Sequence, residues 1–362
     1  MQMMQKITRR HALKLITAAS ATAALSPVLH ARARYPWPPE PDVDVDEAPD
    51  TWEWMGRAIY PITFYERPAI SATRLNRRSQ DQAFLILGEV RAPYTAHNDL
   101  WYMTHLGYVP SAWVQPIQVY PPQPFVRNAG EWGLWGQVSQ VYTTAYAEPS
   151  LQARQVYRLY AGTVYHVMET FEDDHGTGWY KIYDDFPPRD PSHQWVLARD
   201  VRRVLGAEMS PIHPFVGNKH IEVDLGKQTL TCYEGDQVVF TTRTASGIAA
   251  DGTGTPTGKV AVMLKQASRH MCNTPYPGGP PLVGEHFDLP GIPWNTFFDM
   301  EGTAIHGTYW HNDFGVQRSH GCLNVSFEAA RWVYRWVHPI GGYENAYIRS
   351  DNGKVGTPIN IF

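Results

Sequence analysis

A cysteine, two histidines and a glycine stand close together near the C-terminal end of the sequence. Twelve residues separate His306 from the run Ser319-His320-Gly321-Cys322-Leu323-Asn324. A thiol attacks a carbonyl carbon as the thiolate, so its pKa must fall from about 8.5 through a positive neighbour or an activating base. His306 and His320 are both candidates for that base. The spacing therefore predicts nucleophilic chemistry at a carbonyl group, with Cys322 as the nucleophile.

The elements around Cys322 have to position these groups. His320 lies two residues before Cys322, so in an extended segment the two side chains would share a face. His306 belongs to a separate predicted strand and can approach the thiol from across the sheet. Gly321 lets the backbone bend, so that N–H groups around Cys322 can point at a developing oxyanion.

The N-terminal segment has the pattern of an export signal. Arg9 and Arg10 precede an apolar run, Leu15 to Leu29, and the small-residue pattern Ala31-Arg32-Ala33. This order is typical of a removable signal, and the paired arginines are typical of the twin-arginine type, which we expect over residues 1–33. The alternative is an uncleaved anchor, but the run is shorter than the roughly 20 residues that span a bilayer. We expect a periplasmic or cell-wall-associated protein with no membrane anchor after cleavage.

Three cysteines in an exported chain leave at least one without an intrachain partner. Besides Cys322, the sequence contains Cys232 and Cys272, which could be core thiols or form a disulfide with each other.

Composition favours a mostly β protein with several domains. The sequence has 362 residues, with 31 Lys and Arg against 35 Asp and Glu. No long run of either charge is present, which argues against nucleic acid as a partner. Thirteen Trp and 20 Tyr, together with 29 Gly and 29 Pro, indicate short strands and frequent turns.

Two aromatic segments in the N-terminal half are similar to each other. Leu100-Trp101-Tyr102 and Gly107-Tyr108-Val109 resemble Gly178-Trp179-Tyr180 and Gln194-Trp195-Val196. The pattern resembles bacterial SH3-like modules, so we predict one or two small SH3-like β-barrels, at 54–122 and 123–205, after a Pro-rich linker at 34–53. The alternative is an irregular β domain with an aromatic core.

The C-terminal domain, predicted at 215–362, has a sharper pattern. Residues 219–240 alternate as a three-strand meander, and another strand is predicted at Val260–Leu264. A Pro- and Gly-rich irregular insertion is predicted from Asn273 to Pro293. A helix from Phe327 to Val337 follows Ser326, a predicted N-cap.

The chemical motif resembles the signature of YkuD-type L,D-transpeptidases. Ile221-Glu222-Val223-Asp224-Leu225 resembles the opening strand of that domain, Thr255-Pro256-Thr257-Gly258 its internal turn, and Ile305-His306-Gly307-Thr308 its histidine strand. The resemblance covers residues 218 to 362 and implies a β-sandwich-like catalytic domain with a helix after the catalytic cysteine.

The resemblance also implies roles for these residues. A peptidoglycan tetrapeptide stem acylates Cys322 and releases D-alanine, His306 takes the thiol proton, and a backbone carbonyl, that of Gly307, orients His306. The resemblance implies that Ser319, His320 and Gly321 shape the oxyanion site. It also implies that Arg318 and Asn324 hold substrate or the loop. It implies no cofactor and no metal, and it implies that carbapenems inhibit the enzyme.

Other interpretations remain open from the sequence. The acceptor could be a stem peptide, an anchored protein, a D-amino acid or water, and water would make the protein an L,D-carboxypeptidase or a murein hydrolase. An inactive wall-binding homologue is the alternative outside enzymes. A zinc site from His306, His311, His320 and Cys322 matches no common spacing, and we expect His311 to be a solvated loop histidine. Cell-wall cysteine peptidases place Cys before His, the reverse of the order here.

Overall fold

The computed structural model describes residues 54–121, 123–184, 192–273, 287–350 and 355–362. The predicted export signal and linker, 1–33 and 34–53, lie outside the described residues. The described chain forms two compact units, of which the first ends at Pro116 and the second begins at Ile117. Strands dominate both units, as the composition predicts.

The first unit is built on a seven-stranded sheet. Its neighbour order is β3-β2-β6-β5-β4-β1-β7. Alternation explains its strands: Ile62 and Phe64 are buried on β2, while the residues after each are half-buried. The strands are β1 (Trp54–Ala58), β2 (Ile62–Tyr65), β3 (Arg74–Arg78), β4 (Ala83–Arg91), β5 (Leu100–Thr104), β6 (Gly107–Pro110) and β7 (Val114–Gln118).

A second seven-stranded sheet repeats this topology. Its order is β10-β9-β13-β12-β11-β8-β14, which is the first order with every strand number raised by seven. Trp101 on β5 and Trp179 on β12 hold corresponding places in the two orders, and both are buried. The SH3-like assignment itself stays a prediction. The strands are β8 (Leu134–Val138), β9 (Tyr142–Tyr146), β10 (Gln155–Tyr160), β11 (Val164–Glu172), β12 (Gly178–Asp184), β13 (Ser192–Leu197) and β14 (Val201–Arg203).

Over its described residues, the C-terminal domain forms two five-stranded sheets and one α-helix. The sheet orders are β17-β16-β15-β24-β18 and β22-β21-β20-β19-β23. Apolar side chains from both sheets and from the helix form one core cluster. The elements are β15 (Lys219–Asp224), β16 (Thr229–Glu234), β17 (Gln237–Arg243), β18 (Gly258–Ala261), β19 (Leu264–Cys272), β20 (Asp288–Phe297), β21 (Ala304–Gly307), β22 (Leu323–Val325), α1 (Phe327–Trp336), β23 (Tyr347–Arg349) and β24 (Pro358–Ile361).

The predicted meander is confirmed by strands β15, β16 and β17, which pair in chain order. Ile221 and Val223 are buried, and Ile221 lies opposite Cys232. Cys232 is a free, buried thiol, so it does not form the disulfide that the sequence left open.

The predicted strand at Val260–Leu264 is wrong, because the chain changes sheets there. The Val262 N–H bonds to the carbonyl oxygen of Thr357, whereas the Met263 N–H bonds to that of Phe297 on the other sheet. One strand therefore ends at Ala261 and the next begins at Leu264.

The irregular insertion predicted at Asn273–Pro293 is also too long, since β20 begins at Asp288. Residues 274–286 of that insertion lie outside the described residues. A register shift places Pro290 and Gly291 together opposite the single residue His270, which is a β-bulge. Bulges accommodate the missing N–H of proline, and the φ of 66° at Gly291 is left-handed.

Helix α1 has caps at both ends. The Ser326 hydroxyl accepts from the N–H of Ala329 at 3.2 Å, which confirms the predicted N-cap. At the other end, Lys265 Nζ donates to the carbonyl oxygens of Tyr334 and Val337, at 2.9 and 3.2 Å. Lys219 Nζ donates to that of Trp336 at 2.7 Å. These amines satisfy carbonyls that a helix end leaves without partners.

In the part of the chain that the structure describes, no helix has both the length and the apolar character to span a membrane.

The second sheet and the C-terminal domain lie in one compact unit and share buried polar contacts. His270 of β19 lies between two carboxylates: Asp184 of β12, 2.7 Å from Nδ1, and Asp288 of β20, 2.5 Å from Nε2. Burial lowers the pKa of His270, but the hydrogen bonds and charges of both carboxylates raise it by a larger amount, so the net shift is upward. Through its contacts with both carboxylates, the imidazole joins the second sheet to the hairpin of β19 and β20.

Substitution of Lys265 by Met should flatten the pH dependence of stability. Burial lowers the pKa of Lys265 to about 7, whereas a lysine in the unfolded chain stays protonated up to about pH 10.4. The unfolded state therefore binds more protons between these values, and the free energy of unfolding rises there by up to about 1.4 kcal/mol per pH unit. Denaturant titrations between about pH 7 and 10 measure this slope in Lys265→Met.

The exposed Lys259 on β18 provides the control, since Lys259→Met should keep the slope of the unsubstituted protein. An equal slope in Lys265→Met would contradict a buried neutral amine.

Candidate active site

Two short parallel strands bring the predicted base and the predicted nucleophile to one place. On β21 and β22, His306 pairs with Asn324, and Ile305 pairs with Leu323. Leu323 and Ile305 belong to the core. Alternation then turns Asn324 to the opposite face of β22, and Cys322 immediately precedes this strand.

A set of short hydrogen bonds holds the loop that carries Cys322. The Ser319 hydroxyl donates to the carbonyl oxygen of Cys322 at 2.5 Å and accepts from the N–H of Gly321 at 3.2 Å. The Thr255 hydroxyl donates to the carbonyl oxygen of Gly321 at 2.7 Å. The φ of Gly321 is 126°, a conformation that favours glycine. The internal turn motif that contains Thr255 thus fixes the cysteine loop, a role that the sequence did not assign.

The Cys322 thiol is half-buried and protonated at neutral pH. Its Sγ donates to the carbonyl oxygen of Gly302 at 3.8 Å. Burial raises the pKa of Cys322 to about 11, against the lowering effect of the Ala304 N–H and with a further rise from the charge of Asp299.

His306 is buried as a neutral imidazole. Nδ1 donates to the carbonyl oxygen of Gly307 at 3.0 Å, the contact that the family resemblance implies. Burial lowers the pKa of His306 to about 4, and the bond to Gly307 opposes this shift only partly. The proton on Nδ1 leaves a lone pair on Nε2, which is the form of imidazole that can accept a proton.

Neither reactive atom is the other's hydrogen-bond partner among the described residues. His306 Nε2 lies 3.2 Å from Asn324 Nδ2, and the thiol bonds to Gly302 instead. Such contacts are often loose in a free enzyme and tighten in the complex with substrate. The structure thus holds a resting arrangement of a neutral thiol and a neutral imidazole.

The other predicted site residues lie in different environments. His320 is exposed, with its ring centroid 5.2 Å from that of Phe287. The left-handed φ of Gly321 interrupts the extended backbone that a face shared with Cys322 requires. Arg318 donates from Nε and from a terminal nitrogen to Asp313 Oδ2, at 2.9 and 2.6 Å. A support role for His320 and a substrate contact from Arg318 stay predictions.

Asn324 is placed against the base, whereas the sequence suggested that it holds substrate or the loop. Its backbone carbonyl accepts from the Thr244 hydroxyl at 3.0 Å and from the Ala245 N–H at 2.8 Å. These bonds fix its backbone, and its side-chain amide faces His306 on one side and His311 on the other.

The prediction of a solvated His311 is wrong. His311 is only 5% exposed, and its Nε2 lies 3.0 Å from Asn324 Oδ1. The aromatic rings of Trp310 and Phe314, with centroids 6.2 and 5.4 Å from that of His311, enclose it. Two aromatic residues flanking a histidine in an otherwise polar loop are the signal that could have indicated burial.

The four candidate zinc ligands do not converge. His306 and His311 both bond to Asn324, while His320 is exposed. Over the described residues, no group of three or more His, Cys, Asp or Glu side chains has an arrangement suited to a metal ion.

Comparison with protein families finds a match over the C-terminal domain. Residues 218–361 match the YkuD family, the L,D-transpeptidase catalytic domain. No curated protein matches the chain.

Similar solved structures include a mutant L,D-transpeptidase from Enterococcus faecium, with 22% identity and a TM-score of 0.30, over 41% of this chain and 52% of that one. The present chain thus spans about half the length of that protein. An L,D-transpeptidase from Mycobacterium smegmatis is 15% identical over 51% of this chain and 90% of its own, with a TM-score of 0.31. An L,D-transpeptidase in complex with imipenem is 17% identical over 54% of this chain and 81% of its own, also with a TM-score of 0.31.

The family match covers the strands, the loop and the helix that hold Cys322 and His306 in place. The C-terminal domain of this chain, residues 218–361, is therefore a YkuD L,D-transpeptidase catalytic domain.

Proposed function

We propose that the protein is an exported peptidoglycan L,D-transpeptidase that works through a thioester on Cys322. The observation that carries the proposal is the state of His306. This imidazole is neutral and is oriented by the carbonyl of Gly307. It lies on β21, which pairs with β22, the strand that directly follows the half-buried thiol of Cys322. The family match supports the same activity.

In the first half-reaction, the thiol proton passes from Cys322 Sγ to Nε2 of His306 as Sγ attacks the carbonyl carbon. The carbonyl belongs to the bond between the third residue of a tetrapeptide stem, at its L-centre, and the terminal D-alanine. The C–N bond then breaks, the proton returns from His306 to the departing amine, and the stem remains on Cys322 as a thioester.

In the second half-reaction, an acceptor amine attacks the thioester carbonyl and gives its proton to His306. The C–S bond breaks and the thiol recovers that proton. An amine on a neighbouring stem yields a crosslink, which is the outcome we propose, while water in the same position would yield a shortened stem.

The loop Ser319–Cys322 is suited to stabilise the oxyanion of both steps. Its hydrogen bonds to Ser319 and Thr255 keep the backbone fixed before the reaction begins. Donors that are held in place in advance lose little energy to reorganisation when charge develops. We assign this role to the backbone around Gly321 and Cys322, with Ser319 and His320 as its supports.

The neutral pair of thiol and imidazole fits a concerted proton transfer. With pKa values of about 11 for Cys322 and about 4 for His306, the ion pair of thiolate and imidazolium is scarce in the resting protein at neutral pH. The proton therefore moves as the carbon–sulfur bond forms, and His306 acts as a general base.

Incubation with a carbapenem should add one β-lactam mass to the mature chain. The ring carbonyl takes the place of the stem carbonyl, and the thioester stays on the protein. Intact-protein mass spectrometry measures the adduct, which Cys322→Ala should abolish. Cys232→Ala is the matched control and should keep it, because Cys232 is buried in the core. A folded, reduced protein without an adduct would count against the acyl-transfer activity.

Alkylation of Cys322 by iodoacetamide should be slow at neutral pH and should still accelerate near pH 10. Burial raises the pKa of this thiol to about 11, whereas an ordinary cysteine has a pKa of about 8.5. Quantitative mass spectrometry of the Cys322 peptide gives the rate at each pH, and Cys322→Ala reports the background from the other cysteines. A rate that levels off by about pH 9.5 would indicate an ordinary thiol, which is almost fully ionised one pH unit above its pKa of about 8.5.

Tetrapeptide muropeptides should yield D-alanine together with crosslinked dimers. Chromatography and mass spectrometry of the products separate the two half-reactions, since D-alanine reports acylation and dimers report transfer to an amine. Tripeptide stems without dimers would overturn the crosslinking activity in favour of an L,D-carboxypeptidase. No D-alanine would favour an inactive homologue.

A further inference from the structure

His311 is buried on the far side of Asn324 from His306, and the reaction proposed above gives it no role. The three side chains form a row: His306 Nε2 lies 3.2 Å from Asn324 Nδ2, and Asn324 Oδ1 lies 3.0 Å from His311 Nε2. His306 and Asn324 are 2% and 1% exposed, so solvent offers little competition for these bonds.

The proton positions at the first histidine follow from its partners. A carbonyl oxygen can only accept, so the contact with Gly307 places a proton on Nδ1 of His306. A neutral imidazole then has a lone pair on Nε2, which needs a donor. The NH₂ group of Asn324 is that donor.

The proton positions at His311, the other end of the row, follow from its partners in the same way. The backbone N–H of Asp313 donates to His311 Nδ1 at 3.3 Å, so Nδ1 carries the lone pair. Burial lowers the pKa of His311 to about 4, and the nearby Arg318 charge lowers it further against the opposing bond to Asn324. The single proton of the neutral ring is therefore on Nε2, and it points at an acceptor, Asn324 Oδ1.

The lone pair of His306 and the N–H of His311 therefore require the same orientation of the Asn324 amide. A turn of that amide by 180° would bring its NH₂ group against the N–H of His311 and its oxygen against the lone pair of His306. Both contacts would then be repulsive. The ion pair of Arg318 with Asp313 holds the loop that supplies the outermost donor.

We propose that His311 is a positioning residue, whose Nε2–H fixes the Asn324 amide with its N–H toward His306 and thereby holds the imidazole of the catalytic base. This proposal rests on the proposed function, in which His306 is that base. Small errors in the placement of a reacting group reduce rates by up to about a hundredfold.

The fixed amide also acts on the proton that His306 receives. Once Nε2 of His306 is protonated, it faces an N–H donor, and His311 opposes the turn of Asn324 that would relieve this contact. The imidazolium is thereby destabilised, which keeps the pKa of His306 low. Loss of the His311 donor should free the amide to turn and should raise the pKa of His306.

Two substitutions distinguish the effect of the Nε2–H donor of His311 from the effect of the volume of its ring. His311→Leu fills the site but has no N–H, whereas His311→Gln has an amide that can donate to Asn324 Oδ1 and accept from the Asp313 N–H. The exposed His175 of the second sheet provides a control, His175→Leu, which should leave acylation unchanged.

The first readout is the second-order rate of carbapenem acylation. We expect a loss of roughly tenfold to a hundredfold in His311→Leu and a rate within about threefold of the unsubstituted protein in His311→Gln. Thermal unfolding of each variant shows that the domain is folded. If His311→Leu does not fold, His311→Asn takes its place, since its shorter amide does not reach Asn324 Oδ1.

The second readout does not depend on turnover. Nitrogen-15 NMR of the imidazole groups reports the tautomer and the pKa of His306, which should rise in His311→Leu and stay low in His311→Gln. Unchanged acylation and an unchanged His306 titration in His311→Leu would overturn the proposal. Equal losses of rate in both variants would reduce His311 to a packing residue. If the unsubstituted protein forms no adduct, the proposed function fails, while the NMR titration still tests the positioning.

Discussion

The burial of one imidazole, on the first of two paired parallel strands, is the constraint on which the site depends. His306 is 2% exposed, so the charged form is disfavoured and the neutral form dominates at physiological pH. A buried neutral imidazole needs one acceptor and one donor, and the structure supplies them from Gly307 and Asn324. The strand register that pairs His306 with Asn324 is what makes both available.

Packing around Phe327 links this strand to the rest of the unit. A Cβ at Gly307 would lie 2.5 Å from the Phe327 ring, and one at Gly162 of the second sheet would also collide with it. The close approach of the Phe327 ring therefore requires a glycine at both positions. At Gly307 this packing is the reason for glycine, and its φ is not. The first residue of α1, the histidine strand and the second sheet thus meet at one aromatic ring. The two lysines that satisfy the carbonyls at the other end of α1 keep that helix in place.

The local features could be read from the sequence, and the long-range ones could not. Alternation predicted β15 to β17, and Ser326 predicted the start of α1, because these signals lie within a few residues. The motif also indicated Cys322 and His306. Nothing local indicated that β20 continues through Pro290, since its pairing with β19 and the bulge decide it. His311 was misjudged for the same reason, because its burial depends on Asn324, which is thirteen residues away in the chain.

In the proposed mechanism, the resting site stays unreactive until substrate arrives. The thiol bonds to Gly302, and the lone pair of His306 is occupied by Asn324, so two hydrogen bonds must be exchanged before the proton can move. A protonated thiol is a poor target for oxidants, because the thiolate is the reactive form. In the oxidising surroundings that the predicted export implies, this state would protect the proposed nucleophile. Under that proposal, substrate in the site supplies an electrophile that draws the proton transfer forward, so reactivity arises in the complex rather than in the free protein.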